Sequence, residues 1–109
     1  AVLGASWEGL CIENLCAALP HWQVGFYRTS DGTEIDLILE KGGRRLAFEF
    51  KASLTPKVTK AFRNAVADVG PERTWVVYPG SDTYPLTAGT QVIGLPDLLT
   101  RLKTGSACA

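Results

Sequence analysis

The sequence contains no methionine, one histidine and three cysteines, and its formal net charge is zero. The cysteines at 11, 16 and 108 are odd in number and lack the CxxC spacing of zinc and redox motifs. We therefore expect free thiols in a reducing, cytoplasmic setting, with Cys11 and Cys16 on a helix and packed in the protein core. The zero net charge argues against a stand-alone, tight nucleic-acid binder, since phosphate contacts come from clustered lysine and arginine.

The apolar residues are also not arranged in long runs. No run reaches the roughly 18 residues that cross a bilayer, so we expect no membrane partner. A length of 109 residues with 46% hydrophobic and 20% charged residues is typical of one globular domain. We expect a single domain over residues 1–109, with an ordered core at about 4–103. Because methionine is missing even at the first position, we expect this domain to be a fragment of a longer protein.

The periodicity of the apolar residues predicts an α/β fold. A meander of three strands followed by a helix and returning strands gives a mixed sheet with helices packed against it. The TWVVY run predicts a strand that is buried on both faces. Ser6 is the expected N-cap of the first helix. The predicted elements are a helix at 6–19, strands at 22–29, 33–40 and 44–52, a helix at 57–69, strands at 74–78 and 91–95, and a helix at 96–102.

Two carboxylates and a lysine are brought together by one predicted hairpin. Gly42 and Gly43 form a two-residue turn, since glycine accepts the positive φ that such turns need. In the register that this turn imposes, Asp36 faces Glu49, and Lys51 points to the same side as Glu49. Paired carboxylates with a lysine nearby can hold a divalent metal ion and activate a water molecule.

The same register predicts which face of the hairpin packs against the core. Two apolar rows meet across it, so the polar residues must lie on the opposite face. A two-residue turn at Asp31-Gly32 would place Tyr27 opposite Asp36 and Phe26 opposite Leu37, which would give the first strand the same sidedness. The two apolar rows are Ile35, Leu37 and Leu39 on the second strand, and Leu46, Phe48 and Phe50 on the third.

An ordinary surface hairpin would show much the same pattern. Charged residues alternate with apolar ones in any hairpin that has one face exposed to water. Glu34 falls opposite Lys51 in this register, where the two would form a cross-strand ion pair. The residues of these two strands alone leave both interpretations open.

Four short strings occur in this order: Gly4-x-x-Trp7-Glu8, Tyr27-Arg28, Glu34-Ile35-Asp36-Leu37 and Glu49-Phe50-Lys51-Ala52-Ser53. The αβββαβ order, with a carboxylate on the second strand and Glu-x-Lys on the third, resembles the PD-(D/E)xK nuclease superfamily. The four strings together are similar to the uncharacterised nuclease-like domain at the C-terminus of a group of prokaryotic AAA-type ATPases. The similarity covers about residues 4–103.

This resemblance implies a restriction-endonuclease-like core and a catalytic set. Glu8, Asp36 and Glu49 would bind Mg²⁺ or Mn²⁺, and together with Lys51 they would hydrolyse phosphodiester bonds in DNA. Hard carboxylate ligands without a thiolate or imidazole cluster disfavour zinc.

The resemblance also implies partners. Tyr27 and Arg28 would contact the substrate backbone, although ordinary surface packing explains them equally well. An AAA-type ATPase would be covalently linked in the full-length protein, and a homo-oligomer is an expected assembly. The chain itself has no GxxxxGK[ST] string, so we expect no ATPase activity from it. The alternative function is a catalytically inactive nuclease-fold module that binds substrate or assembles the ATPase.

Overall fold

The computed structural model describes residues 2–30, 32–87 and 89–105, with residues 2–6 as backbone only. Within these residues the chain forms three helices and one six-stranded sheet of order β1-β2-β3-β4-β6-β5. The predicted α/β class with a mixed sheet is confirmed. The elements in chain order are α1 (Val2–Ala18), β1 (Gln23–Arg28), β2 (Glu34–Lys41), β3 (Arg44–Phe50), α2 (Lys60–Val69), β4 (Arg73–Tyr78), β5 (Tyr84–Thr87), β6 (Thr90–Gly94) and α3 (Leu95–Thr104).

The sheet has an antiparallel half and a parallel half. β1, β2 and β3 form the predicted meander, whereas β4 lies parallel to both β3 and β6. The connection from β3 to β4 passes through α2, because parallel neighbours need a crossover. The short strand β5 at the far edge pairs antiparallel to β6. The sequence did not predict it, since Pro85 lacks a backbone N–H and is tolerated in strands mainly at a sheet edge.

Apolar side chains cover both faces of the sheet. α1 and α3 contribute to the larger cluster, which contains Phe48, Trp75 and Val77. On the other face, α2 packs Phe62 and Ala65 against the sheet. The alternate residues of β4, Val76 and Tyr78, belong to a third cluster. The predicted burial of β4 on both faces is confirmed.

The first residues of α1 and α2 differ from the predicted ones. α1 begins at Val2, so Ser6 lies within the helix and the prediction of an N-cap there is wrong. α2 begins at Lys60 rather than at residue 57, because Thr59 Oγ1 accepts a hydrogen bond from the Phe62 N–H at 3.0 Å. This contact satisfies one of the N–H groups that the first helical turn leaves without a partner. Gly70, with φ 65°, ends the helix.

The β2–β3 register agrees with the prediction from the Gly-Gly turn, since Leu37 pairs with Phe48 and Lys41 with Arg44. The sidedness of Ile35 does not agree: this side chain packs with Ala47 and Phe62, away from the main cluster. The reason is an irregularity in the β1–β2 pairing, where β2 carries one residue more than β1. An extra residue in one strand reverses the face of the residues beyond it.

The first hairpin also differs from its prediction. Tyr27 pairs with Ile35 rather than Asp36. The connecting loop is longer than two residues, because the Thr29 N–H donates to the Thr33 carbonyl oxygen at 2.8 Å. Asp31, the first residue of the predicted turn, lies outside the described residues.

The two cysteines that the structure describes lie in or against the core. Cys11 is fully buried and Cys16 packs against the main cluster, as predicted for core residues, and both are free thiols. Cys108 lies outside the described residues. Within the part of the chain that the structure describes, no helix is long and apolar enough to cross a membrane.

Candidate functional site

Asp36 and Glu49 meet near the start of β2 and the end of β3. The Asp36 N–H donates to Glu49 Oε1 at 3.3 Å, and the Phe50 N–H donates to Asp36 Oδ2 at 2.9 Å. Each carboxylate is therefore oriented by a main-chain donor of the neighbouring strand. The structure brings together the pair that the hairpin register placed face to face.

Lys51 extends this pair into a line of three groups. Its Nζ lies 3.6 Å from Glu49 Oε2, and its backbone N–H donates to the Val77 carbonyl oxygen at 2.9 Å, which ties it to β4. Glu34 does not form the alternative ion pair with Lys51; it pairs instead with Arg28, whose Nε lies 3.0 Å from Glu34 Oε2.

Glu49 is buried to a degree that is rare for a carboxylate. Only 9% of the residue is exposed. Burial, the negative charge of Asp36 and a side-chain hydrogen bond with Asp36 together raise the pKa of Glu49 to about 8, while the Lys51 charge and the Asp36 backbone N–H act in the opposite direction. Desolvation and a nearby like charge both disfavour the ionised form of a carboxyl group. Glu49 therefore holds a proton near neutral pH when no other cation is present.

Glu8 lies at the margin of this group. The residue as a whole is exposed, yet partial burial of its carboxyl raises the pKa of Glu8, and the charges of Asp36 and Glu34 raise it further. Asp36 and Glu34 are therefore close enough to Glu8 for their charges to affect it. Among the described residues, no three Asp, Glu, His or Cys side chains lie close enough together to hold one metal ion. Of the three predicted ligands, the structure joins Asp36 and Glu49 and leaves Glu8 apart.

Tyr27 and Arg28, the predicted substrate contacts, point to opposite faces of β1. Tyr27 packs toward α2, and its hydroxyl donates to Asp68 Oδ2 at 3.1 Å. Arg28 stays at the surface, with its guanidinium carbon 5.8 Å from the centre of the Phe26 ring. The sequence singled out Arg28 as a substrate contact but predicted Phe26 on the core side opposite Leu37, and that prediction is wrong, because Phe26 is exposed. The signal was present in the strand, because Phe26 and Arg28 are two residues apart and so share a face.

A cleft opens beside Glu49 at the start of α2. Its volume is about 250 Å³. It gives the partly buried carboxyl a route to solvent next to the capped end of the helix, where the backbone carries a partial positive charge. The sequence alone did not identify the capped start of α2 as part of this cleft, although Thr59 directly before an amphipathic run is a recognisable N-cap signal. The cleft is lined by Gly32, Thr33, Glu34, Glu49, Thr59, Ala61 and Phe62.

Comparison with known proteins gives a family but no activity. Residues 3–98 match the family described as "Domain of unknown function (DUF4143)". Two curated relatives are the uncharacterized protein Rv2008c of Mycobacterium tuberculosis and the uncharacterized protein Mb2031c of Mycobacterium bovis. Each is 38% identical over 104 residues, which make up 95% of this chain and 23% of the relative. The chain thus spans about a quarter of the length of these relatives. No solved structure matches it.

Proposed function

We propose that this chain, which belongs to the DUF4143 family, is a divalent-metal-dependent nuclease-like domain that hydrolyses phosphodiester bonds in DNA. The observation that carries this proposal is the group of Asp36, Glu49 and Lys51, in which Glu49 contacts the Asp36 N–H at 3.3 Å and Lys51 Nζ at 3.6 Å. The arrangement supports a restriction-endonuclease-like core, in which the second and third strands of the meander carry the reacting groups.

The donor chemistry of the pair fits Mg²⁺ or Mn²⁺. Both ions prefer oxygen ligands, and Mg²⁺ is commonly held by one or two carboxylates while it keeps several waters. Asp36 and Glu49 would hold the ion, with Glu8 near enough to add its negative charge. A cation would also relieve the repulsion that raises the pKa of the buried Glu49. When bound, the ion would lower the pKa of a water molecule and offset negative charge on the phosphate.

The residues of the chain itself contribute positioning and charge. Lys51, anchored to β4 through its backbone, places an ammonium group beside the carboxylates, where it would orient a water or stabilise charge that develops on the phosphate oxygens. The N–H groups of Asp36 and Phe50 fix the two carboxylates in place. Groups that are already oriented need no rearrangement when charge develops.

A second candidate function is a catalytically inactive module with the same fold. The specific observation that favours it is that each carboxylate already uses one oxygen on a main-chain N–H, which is also what a purely structural pair would do. Such a module would bind substrate or assemble an attached AAA-type ATPase. This domain makes up 23% of the relatives, which leaves room in such a chain for a covalently linked ATPase.

Calorimetric titration with Mn²⁺ distinguishes the two candidates. We expect the wild-type chain to bind the ion and Asp36→Asn to lose binding, since the amide keeps an oxygen for the Phe50 N–H but removes the charge. Glu40→Gln is the matched control: it removes one carboxylate from the same strand, where Glu40 pairs with Arg45 at 3.1 Å. This control should bind Mn²⁺ as the wild type does.

The possible results of this titration distinguish the nuclease from the inactive module. Unchanged Mn²⁺ affinity in Asp36→Asn would show that the ion binds elsewhere, and the site assignment would be wrong. A wild-type chain that binds no Mn²⁺ and cleaves no labelled DNA would support the inactive module. Binding followed by cleavage that Lys51→Ala abolishes would establish the nuclease.

A further inference from the structure

Phe26 is the most exposed of the large apolar side chains that the structure describes. It is 70% exposed, in a strand at the edge of the sheet. Val24, on the same face, is 56% exposed. Large apolar side chains that stay in contact with water on one face often mark a binding surface.

The position of Phe26 relative to the carboxylate pair follows from the strand register. The residues on either side of Phe26 pair with Ile38 and Ile35 of β2, so Phe26 falls opposite Asp36 and Leu37. Neighbouring strands lie about 4.8 Å apart. The backbone of Phe26 is therefore about one strand spacing from the backbone of Asp36.

Arg28 adds a cation to the same open face. Its guanidinium carbon lies 5.8 Å from the centre of the Phe26 ring, and its side chain is 68% exposed while it pairs with Glu34. Aromatic rings and guanidinium planes on an open sheet face are the groups on which unpaired bases stack, and arginine also binds phosphates. Bases in an intact duplex are stacked on one another and do not offer a free face to such a ring.

We propose that Phe26 and Arg28 form a stacking platform for an unpaired nucleotide, so that the Asp36 site acts on single-stranded DNA or on an unpaired end of a duplex. This inference rests on the proposed nuclease function. Glu34 pairs with Arg28, and the charges of Glu34 and Asp36 act on Glu8, so a divalent cation at the site is needed to make these acidic surroundings attractive to phosphate.

Fluorescence anisotropy tests the platform without cleavage when Ca²⁺, which prefers the same oxygen ligands, replaces Mn²⁺. We expect a labelled thymidylate dodecamer to bind more tightly than a blunt duplex of equal length. Phe26→Ala should weaken single-strand binding by about fivefold or more, the lower end of the effect of one stacked base. Phe26→Tyr should retain the affinity. Val24→Ala, on the same face and two residues away, should change it by less than about twofold.

Three results would overturn the platform. They are equal affinity for the blunt duplex, wild-type affinity in Phe26→Ala, and a wild-type dimer that Phe26→Ala converts to a monomer in sedimentation. The last result would make this edge a contact between two copies. Mn²⁺ calorimetry on Phe26→Ala separates this inference from the proposed function. Intact Mn²⁺ binding without a preference for single strands overturns the platform alone, whereas a wild type that binds no Mn²⁺ overturns the metal-dependent function.

Discussion

We expect the stability of this domain to fall as the pH rises, because the buried Glu49 keeps its proton in the folded chain. Burial first, and then the Asp36 charge, raise the pKa of Glu49 from its ordinary value of 4.5 to about 8. A carboxyl group with a higher pKa in the folded chain binds its proton more tightly there than in the unfolded chain. Its contribution to stability is therefore complete below pH 4.5 and is lost as the pH rises through about 8. At about 1.36 kcal/mol per pKa unit, the loss is on the order of 3–5 kcal/mol.

Glu49→Gln isolates this effect. The glutamine keeps an oxygen that can accept the Asp36 N–H and does not titrate. Small domains have unfolding free energies of about 5–15 kcal/mol, so a change of this size is easily measured. Urea unfolding in the presence of EDTA, from about pH 4.5 to about pH 9, should show the wild type losing several kcal/mol. Glu49→Gln should be nearly flat over the same range, and Glu40→Gln, which removes a half-exposed carboxylate from β2, should follow the wild type.

Parallel curves for the wild type and Glu49→Gln would refute the reasoning. They would show that the Glu49 carboxyl titrates in the folded chain as it does in the unfolded one. The close approach of the two carboxylates would then be wrong. A wild-type curve that rises with pH would have the opposite sign and would point to a salt-bridged, low-pKa carboxylate instead.

Two further predictions test the packing and a close backbone approach. Phe48→Ala empties a fully buried position and should lower the free energy of unfolding by about 3–5 kcal/mol, whereas a loss under about 1 kcal/mol would mean that the sheet register is wrong. Gly94→Ala should lower the thermal midpoint sharply, because the added Cβ would clash with the Gly80 carbonyl oxygen. Gly9→Ala in α1 meets nothing within 4 Å and should raise the midpoint slightly through helix propensity; equal midpoints for the two alanine variants would contradict this geometry.

The sequence predicted those parts of the fold that depend on residues close together in the chain. The Gly-Gly turn fixes the β2–β3 register locally, and alternation along the strands then places Asp36 beside Glu49. The apolar TWVVY run identified a strand covered on both faces. The same reasoning found Lys51, because residues two apart on a strand share a face.

What the sequence could not show depends on contacts between distant elements. The extra residue in β2, which turns Ile35 toward α2, leaves no signal in the local pattern. The burial of Glu49 depends on where α2 packs, and Phe26 is exposed because none of the described helices covers the end of β1. Alternation therefore predicted which residues are neighbours but not how much water reaches them.

The two edges of the sheet differ in whether they can be extended. β5 carries Pro85, which has no N–H to donate, and its pairing with β6 is irregular. Such a strand is a poor template for another chain. An unlimited polymer of stacked sheets needs two competent edges on every subunit. Pro85 therefore protects the domain against fibrous aggregation, even though β1 forms the other edge of the sheet in the described part of the chain.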